Sequence, residues 1–206
     1  MSISNDIELY LPKYLSAEST KELLKEIGDF PNNSNGSLYT SYLSGVDKIF
    51  QGDGVCDLLV INLPETKVAS VPSIVLSNTC DIDLDNPREL PMQITYSPIF
   101  NLEKYRKLLE SQDKSPEYVR QHIDIIKRQG ITQILYLPEG GNLKYDGIVF
   151  LDRINNCSNN AISRDNLRER RLFTLSNYGL YLFLLKISIH FSRIQEKIDR
   201  NTGVII

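Results

Sequence analysis

Residues 51–77 read QGDGVCDLLVINLPETKVASVPSIVLS, and this stretch decides the predicted fold. Its Gly52-Asp53-Gly54 segment permits the positive φ of a tight turn. Two short apolar runs follow, at 55–63 and 71–77, and runs of this length bounded by turn residues indicate strands. Pro72 fits the first residues of a strand or a sheet edge, because proline cannot donate to a strand ladder.

Four more apolar runs predict further strands. They lie at residues 46–50, 93–99, 131–137 and 147–154. Residues 101–130 interrupt these runs and show the apolar spacing of helices. The segment 102–109 is helical in its periodicity, and Ser115-Pro116-Glu117 predicts the start of a second helix, with serine as N-cap and proline at the first helical position.

Three further segments have helical patterns. They are residues 18–27, a short basic piece at 164–171 and a long segment at 177–200. Because helices do not alternate with the strands, a parallel doubly wound sheet is disfavoured. The sequence predicts one α+β domain over 1–206, with a small barrel of strands at 47–160, a helical insertion at 101–130 and C-terminal helices at 164–200.

The charge is small overall but unevenly distributed. The 206 residues include 23 Lys and Arg and 26 Asp and Glu, for a net charge of −3, so the chain is not a generic binder of polyanions. Residues 1–100 carry a net charge of −8, residues 101–149 carry +1 and residues 150–206 carry +4. Such asymmetry is typical of a local nucleic-acid face, or of two halves that attract each other.

The cysteines and the apolar stretches indicate the cellular compartment. Three cysteines without a C-x-x-C pair indicate reduced thiols, and predict neither a zinc site nor a disulfide framework. Residues 1–14 lack the pattern of a secretory signal, and the longest apolar stretch, 178–189, is interrupted by Lys186 and Ser188. We therefore expect a cytoplasmic protein with no membrane span, no cofactor and no bound metal.

Four short motifs follow one another across residues 47–157. They are Gln51-Gly52-Asp53 leading into 58–61, the run at 71–77, Tyr96-Ser97-Pro98-Ile99, and Ile148-Val149-Phe150-Leu151-Asp152. Their order resembles that of the PemK/MazF family of bacterial toxins. The resemblance implies an SH3-like barrel and a toxin–antitoxin or bacterial defence function in which single-stranded RNA is bound and cut. The helical insertion at 101–130 is not usual in that family.

Two positions depart from the family's pattern. The family's functional arginine precedes the proline of its second strand, where this chain has Val71, and the family's Thr or Ser after Pro-Ile is replaced by Phe100. RNA cleavage by that mechanism needs a base for the 2′-hydroxyl and a cation for the developing phosphorane charge. The resemblance therefore implies binding of RNA or other nucleic acid and leaves cleavage open. An active enzyme would be endoribonuclease-like.

The segment Asn78-Thr79-Cys80-Asp81 is the most distinctive polar cluster, because it stands where an apolar strand ends. As a catalytic site it would use Cys80 as nucleophile or Asp81 as base. The alternative is a small buried thiol beside a capping carboxylate. A nucleophilic cysteine needs a base such as His122 or His190, and the sequence places neither beside it.

Asp81, Asp83 and Asp85 alternate along the chain. In an extended conformation they would face one way and could hold Mg²⁺ or Ca²⁺. The chain continues with Asn86-Pro87, whereas a calcium-binding EF-hand loop needs a glycine and a distal glutamate. A solvated acidic loop is the alternative, and we expect no metal here.

The basic C-terminal quarter supplies the candidate nucleic-acid residues. They are Arg164, Arg168, Arg171, Lys186, His190, Arg193 and Lys197. The last four fall on one stripe of a helix, a spacing that can follow phosphates. Alternatively, these side chains pair with the acidic N-terminal half or solvate a helix.

The leading functional hypothesis is a PemK/MazF-like protein of bacterial toxin or defence type that binds RNA or other nucleic acid. A second hypothesis is a non-catalytic protein–protein interaction subunit of a bacterial complex, with a partner protein or a second copy of the chain. A third is an enzyme that depends on Cys80. The 11 tyrosines are spread along the chain without interleaved basic residues, so they give no signature of RNA stacking.

Overall fold

The computed structural model describes residues 38–86, 88–90 and 92–192, together with Glu18, Lys21 and Lys25. Within these residues the chain is α+β, as predicted. The strands are β1 (Tyr39–Thr40), β2 (Gly54–Ile61), β3 (Val68–Val75), β4 (Gln93–Asn101), β5 (Ile134–Leu137), β6 (Gly147–Phe150), β7 (Asn155–Ser158) and β8 (Arg171–Leu175). The helices are α1 (Thr79–Ile82), α2 (Leu102–Glu110), α3 (Pro116–Lys127), α4 (Leu167–Arg170) and α5 (Asn177–Ser192), with a 3₁₀ turn at Asn159–Ala161.

The strands form one antiparallel sheet in the order β1-β8-β2-β3-β4-β6-β5, and β7 pairs with β4. The end strands β1 and β5 are not paired with each other in the described part of the chain. The sheet is therefore open, and the closure expected of an SH3-like barrel is not confirmed.

The long strand β4 joins the two halves of the sheet. Its middle pairs with β3, with Ser73 opposite Pro98. Its first half pairs with β7 and its last three residues pair with β6, where Phe100 lies opposite Ile148. Because β6 and β7 are consecutive in the chain, residues 147–158 follow β4 along nearly its whole length.

The two helices of the insertion are confirmed close to their predicted starts. Asn101 caps α2 by accepting the N–H of Lys104 at 2.9 Å. The hydroxyl of Ser115 caps α3 by accepting the N–H of Tyr118 at 3.2 Å, and Pro116 is the first helical residue. The N-terminal helix predicted at 18–27 and the end of the helix predicted at 177–200 lie largely outside the described residues; Glu18, Lys21 and Lys25 are helical.

Three segments differ from their predictions. Residues 46–50, predicted as a strand, form an irregular loop. Of the basic piece predicted as a helix at 164–171, only Leu167–Arg170 is helical, and Arg171 begins the strand β8. The strand β7 was not predicted, because its Asn-Asn-Cys-Ser residues have low strand propensity; they form a strand by pairing with β4.

Apolar side chains collect in three clusters around the sheet. One lies between α5 and the sheet and includes Phe183, Leu182 and Ile74. A second includes Leu58, Ile94 and Tyr96 from the central strands. The third packs α2 and α3 on β5 and β6 and contains the following residues: Leu102, Val119, Ile123, Ile126, Ile134, Tyr136, Ile148 and Phe150. The insertion is therefore anchored on the sheet by its own core.

A buried ion pair fixes the loop at 43–48. The side chain of Arg171 is 4% exposed, and its Nε lies 3.2 Å from Oδ2 of the fully buried Asp53. The terminal guanidinium nitrogens donate to the carbonyls of Leu43, Val46 and Lys48. These carbonyls are bound by a side chain and not by a neighbouring strand, which explains why residues 46–50 are not a strand.

We predict that Arg171→Ala lowers the free energy of unfolding by about 3–5 kcal/mol, because it leaves the buried Asp53 carboxylate and several loop carbonyls without their cation. Urea unfolding followed by circular dichroism measures this change.

The matched control is Arg168→Ala, which breaks the exposed Arg168–Asp47 pair and should cost less than about 1 kcal/mol. Equal losses in the two variants would show that the buried pair does not hold the loop.

Candidate nucleic-acid interface

The predicted catalytic pair, Cys80 and Asp81, lies in the short helix α1 directly after β3. Asn78 caps this helix by accepting the N–H of Cys80 at 2.9 Å, and Asn86 donates to the Cys80 carbonyl at 2.8 Å. The Cys80 side chain is exposed, in contrast to the buried thiol of the alternative interpretation. Asp81 is paired with Arg88 at 2.7 Å.

The structure does not bring a histidine to Cys80. Nε2 of His122 is 3.1 Å from the hydroxyl of Tyr105, and the ring of His190 packs edge-on against Phe191. Neither ring is bonded to Cys80 among the described residues. The nucleophile and base that cysteine chemistry requires are therefore not assembled here, and catalytic roles for Cys80 and Asp81 stay predictions.

The alternating carboxylates do not converge on one point. Lys48 lies between two of them, with its Nζ 2.9 Å from Asp83 and 2.8 Å from Asp85. The hydrogen bond from Lys48 lowers the pKa of Asp83. Asp81 is bound separately by Arg88. No group of three metal-ligating side chains suited to an ion occurs in the described part of the chain.

The predicted arginines do not share one free surface. Arg171 is buried in its ion pair with Asp53 and is not available to a phosphate. Arg164 is half-buried and donates to Asn159 and to the carbonyl of Ile162. Arg168 remains exposed, with Asp47 as its partner. The expectation that these cations line one face is thus wrong for Arg171, because β8 carries its side chain into the protein.

The predicted helical stripe also loses its first member. Lys186 is 5% exposed and its ammonium group donates to the carbonyls of Gln129 and Ile131, at the end of α3. His190, one turn later, is partly exposed. Arg193 and Lys197 lie outside the described residues. A phosphate-binding role for the stripe therefore stays a prediction, with Lys186 removed from the exposed set.

Burial lowers the pKa of Lys186 to about 8, below the value of about 10.4 expected in the unfolded chain. Between these values the unfolded state holds the proton more often, so stability should rise with pH. We predict that Lys186 makes the free energy of unfolding increase by about 1–2 kcal/mol between pH 8 and 9.5. Burial raises the pKa of Cys56, which opposes this increase in the same range, so urea titrations measure it as the difference between the wild type and Lys186→Met.

The control is Lys186→Met, in which this increase should disappear. The range stops below pH 10 because burial raises the pKa of Tyr136, whose ionisation in the unfolded chain would lower stability above that pH. An identical pH dependence in the variant would contradict the assignment to Lys186.

Five rings from distant parts of the chain form a continuous aromatic series across the insertion. We define the aromatic series as Phe100, Phe150, Tyr105, His122 and Tyr118. Successive ring centroids are 5.4, 5.8, 6.0 and 5.9 Å apart. The last two rings, of His122 and Tyr118, are stacked with 8° between their planes. These distances are in the range of favourable aromatic contacts.

A cation lies over each end of the aromatic series. The guanidinium of Arg153 is 4.5 Å from the ring centroid of Phe150 and 5.2 Å from that of Phe100. At the opposite end, Nζ of Lys114 is 5.7 Å from the ring centroid of Tyr118. Both cations are exposed, and neither forms an ion pair with a carboxylate in the described part of the chain.

Local structure explains how the aromatic series is placed. Phe100 ends β4, and the β4–β6 pairing brings it to Phe150. Tyr105 follows one turn into α2, and the four-residue spacing puts Tyr118 and His122 on one face of α3. The most exposed ring is that of Tyr118, at 49%, whereas Phe150 belongs to the core of the insertion and is 8% exposed, with Phe100 and Tyr105 partly buried against that core.

The middle of the aromatic series is polar, and no carboxylate among the described residues is paired with Tyr105 or His122. Burial lowers the pKa of His122, which favours its neutral form. Burial raises the pKa of Tyr105, and the charge of Arg153 opposes that rise. Cations therefore stand at both ends of a site whose middle is neutral at pH 7.

Sequence reasoning missed this surface because its members come from three segments. They lie at residues 100–105, 114–122 and 150–153. The tyrosines give no stacking signature along the sequence because aromatic and basic residues are not interleaved there. The fold nevertheless brings aromatic and basic side chains from separate segments together. The one local signal was the spacing of Tyr118 and His122.

No known protein family matches this sequence, and no curated protein shows significant similarity to it. Among the described residues, none of the helices has both the length and the apolar character needed to cross a membrane.

Proposed function

We propose that this protein binds nucleic acid through the aromatic series and its two end cations, Arg153 and Lys114. The observation that carries the proposal is the series of contacting rings with an unpaired cation at each end. Surfaces that bind single strands combine aromatic rings, on which bases stack, with cations that contact the backbone. The described residues offer both components within one surface.

The exposed end of the series suits a base. Tyr118 presents about half of its surface to solvent and is backed by the parallel ring of His122. Lys114, on its flexible stem, can turn from the ring toward a phosphate. At the other end Arg153 offers a planar cation that can contact a phosphate or stack on a base.

We propose that the fold is an SH3-like barrel. Side-chain hydrogen bonds would close it where β2 has no backbone pairing with β4 and β7. The hydroxyl of Tyr96 in β4 donates to the carbonyl of Leu59 in β2. Asn155 in β7 accepts the N–H of Ile61 at 3.0 Å. These two bonds bring the free edge of β2 to β4 and β7, and they support the resemblance to PemK/MazF toxins.

The proposed surface adjoins the positions that the family uses. Val71 in β3 and Phe100 in β4 lie on adjacent antiparallel strands. Each is two residues from the Ser73–Pro98 pair, in the same direction along the sheet. Phe100 itself begins the aromatic series. We accordingly propose a nucleic-acid-binding protein of bacterial toxin or defence type. Cleavage is not part of the proposal, because neither Val71 nor Phe100 can transfer a proton or stabilise charge.

We propose a cytoplasmic location on the basis of the thiols. Cys56, Cys80 and Cys157 are all free. Free thiols persist in reducing compartments, and none of these three thiols forms a disulfide, although Cys56 and Cys157 are partly buried.

The test is fluorescence anisotropy with labelled single-stranded RNA and DNA oligonucleotides at several salt concentrations. We predict that Arg153→Ala weakens binding about tenfold and lowers the slope of log affinity against log salt by about one, because one phosphate contact is lost. Tyr118→Ala should weaken binding by roughly five- to a hundredfold with the slope unchanged, because a stacking contact is lost.

Two arginines serve as controls. Arg128→Ala removes an exposed charge near the end of α3 and should leave affinity within about twofold, since long-range effects are screened by salt. Arg168→Ala tests the rival basic cluster. Loss of binding in Arg168→Ala with normal binding in Arg153→Ala, or no binding by the wild type, would contradict the proposal.

A second candidate function, a protein–protein interaction subunit, is favoured by one observation. The β2–β3 hairpin exposes four large apolar side chains, those of Leu59, Ile61, Leu63 and Val68, to between 47% and 74%. Exposed apolar patches of this kind often mark protein interfaces.

A further inference from the structure

The β2–β3 hairpin has one face in the core and one face in solvent. Leu58 lies in the central apolar cluster, with Val60 packed against it. On the opposite face, Ile61 stands across from Val68, and Leu59 stands across from Ser70. All residues from 61 to 70 are exposed, so three apolar side chains on this face lack cover from the described residues.

The direction of the backbone groups in β3 follows from the hydrogen bonds of its last residue, Val75. Val75 donates its N–H to the carbonyl of Asp53 and accepts the N–H of Gly52, both at 2.9 Å. These partners lie on the β2 side. Because backbone groups alternate between the two edges of a strand, the N–H and C=O of Val68 and Ser70 face the opposite edge.

The bonds made by β2 agree with this assignment. Leu59 and Ile61 use their backbone groups for Tyr96 and Asn155, so these groups point away from β3. Their cross-strand partners, Ser70 and Val68, are consequently in non-hydrogen-bonded pairs with them.

The outer edge of β3 is unpaired over its first residues. Pairing with β4 begins only at Ser73, opposite Pro98. No strand in the described part of the chain pairs with the outer edge at Val68 to Val71. Proteins usually protect such an edge with a charge, a proline or a bulge; here Lys67 and Pro72 flank the edge, and the segment between them, Val68 to Ser70, carries none of these.

We propose that this edge of β3 pairs with the same edge of a second copy of the chain, giving a two-fold symmetric dimer with a continuous antiparallel sheet. The two-fold axis passes near Ala69. Val68 of each copy then exchanges both backbone hydrogen bonds with Ser70 of the other. Pro72, which has no N–H, stays outside the paired region.

A second copy suits the edge better than other partners do. An edge strand paired about a two-fold axis is self-complementary, with each outward N–H meeting an outward C=O. The same pairing extends the apolar face of Ile61 and Val68 across both copies. Glu65 and Lys67, at the end of the hairpin, supply both charge signs beside the interface, so a copy of the chain meets no uncompensated charge.

Sedimentation equilibrium of the full chain tests the dimer. We expect a species of twice the 23.6 kDa chain mass. Ser70→Pro removes an N–H that is unused within the chain, so it should raise the dimer dissociation constant at least about tenfold by deleting two interfacial hydrogen bonds. The thermal midpoint, measured where both forms are monomeric, should be unchanged.

Ser70→Ala is the matched control and should remain dimeric, because its backbone donor is kept. Val68→Lys provides a second test if Ser70→Pro does not fold, since a charged edge should also give a monomer. A wild-type chain that is monomeric at about 100 μM, or a folded Ser70→Pro or Val68→Lys that dimerises as the wild type does, would overturn the proposal.

Discussion

The pairing of β4 with β6 is the constraint on which the proposed interface depends. It sets Phe100 opposite Ile148 and brings Phe150 and Arg153 to the end of β4, although the two segments lie about fifty residues apart. The insertion between these strands then packs its own apolar faces on β5 and β6. Its outer residues are consequently held in fixed positions beside Phe100. A rigid scaffold of this kind lowers the entropy that binding would otherwise cost.

The buried Arg171–Asp53 pair has a different consequence. The guanidinium of Arg171, which the sequence predicted to bind phosphate, instead holds the loop at 43–48 against β8. Lys186 is also internal, because its ammonium group donates to the carbonyl of Gln129 at the end of α3. The basic C-terminal quarter is thus partly internal. The positive charge that remains unpaired at the surface includes Lys114, in the segment 101–149 of nearly neutral net charge, and Arg153, near the start of the basic segment 150–206.

Local rules predicted much of the fold. The cap of Ser115 acts at short range, and the α+β class and the two strands β2 and β3 follow from apolar runs and turn residues. Features that depend on residues distant in the chain could not be predicted from a single sequence. Residues 46–50 lost strand structure to a guanidinium more than 120 residues away, and β7 formed from polar residues because β4 was beside it. The aromatic series belongs to the same class, since only the fold brings its three segments together.

The most direct test of nucleic-acid binding at the aromatic series is amide hydrogen exchange of the full chain with and without a saturating single-stranded oligonucleotide. We predict slower exchange in peptides covering residues 100–122 and 150–153, with the peptides covering 164–170 unchanged. Protection confined to 164–170, or no protection anywhere in a chain that binds the oligonucleotide, would contradict binding at the aromatic series.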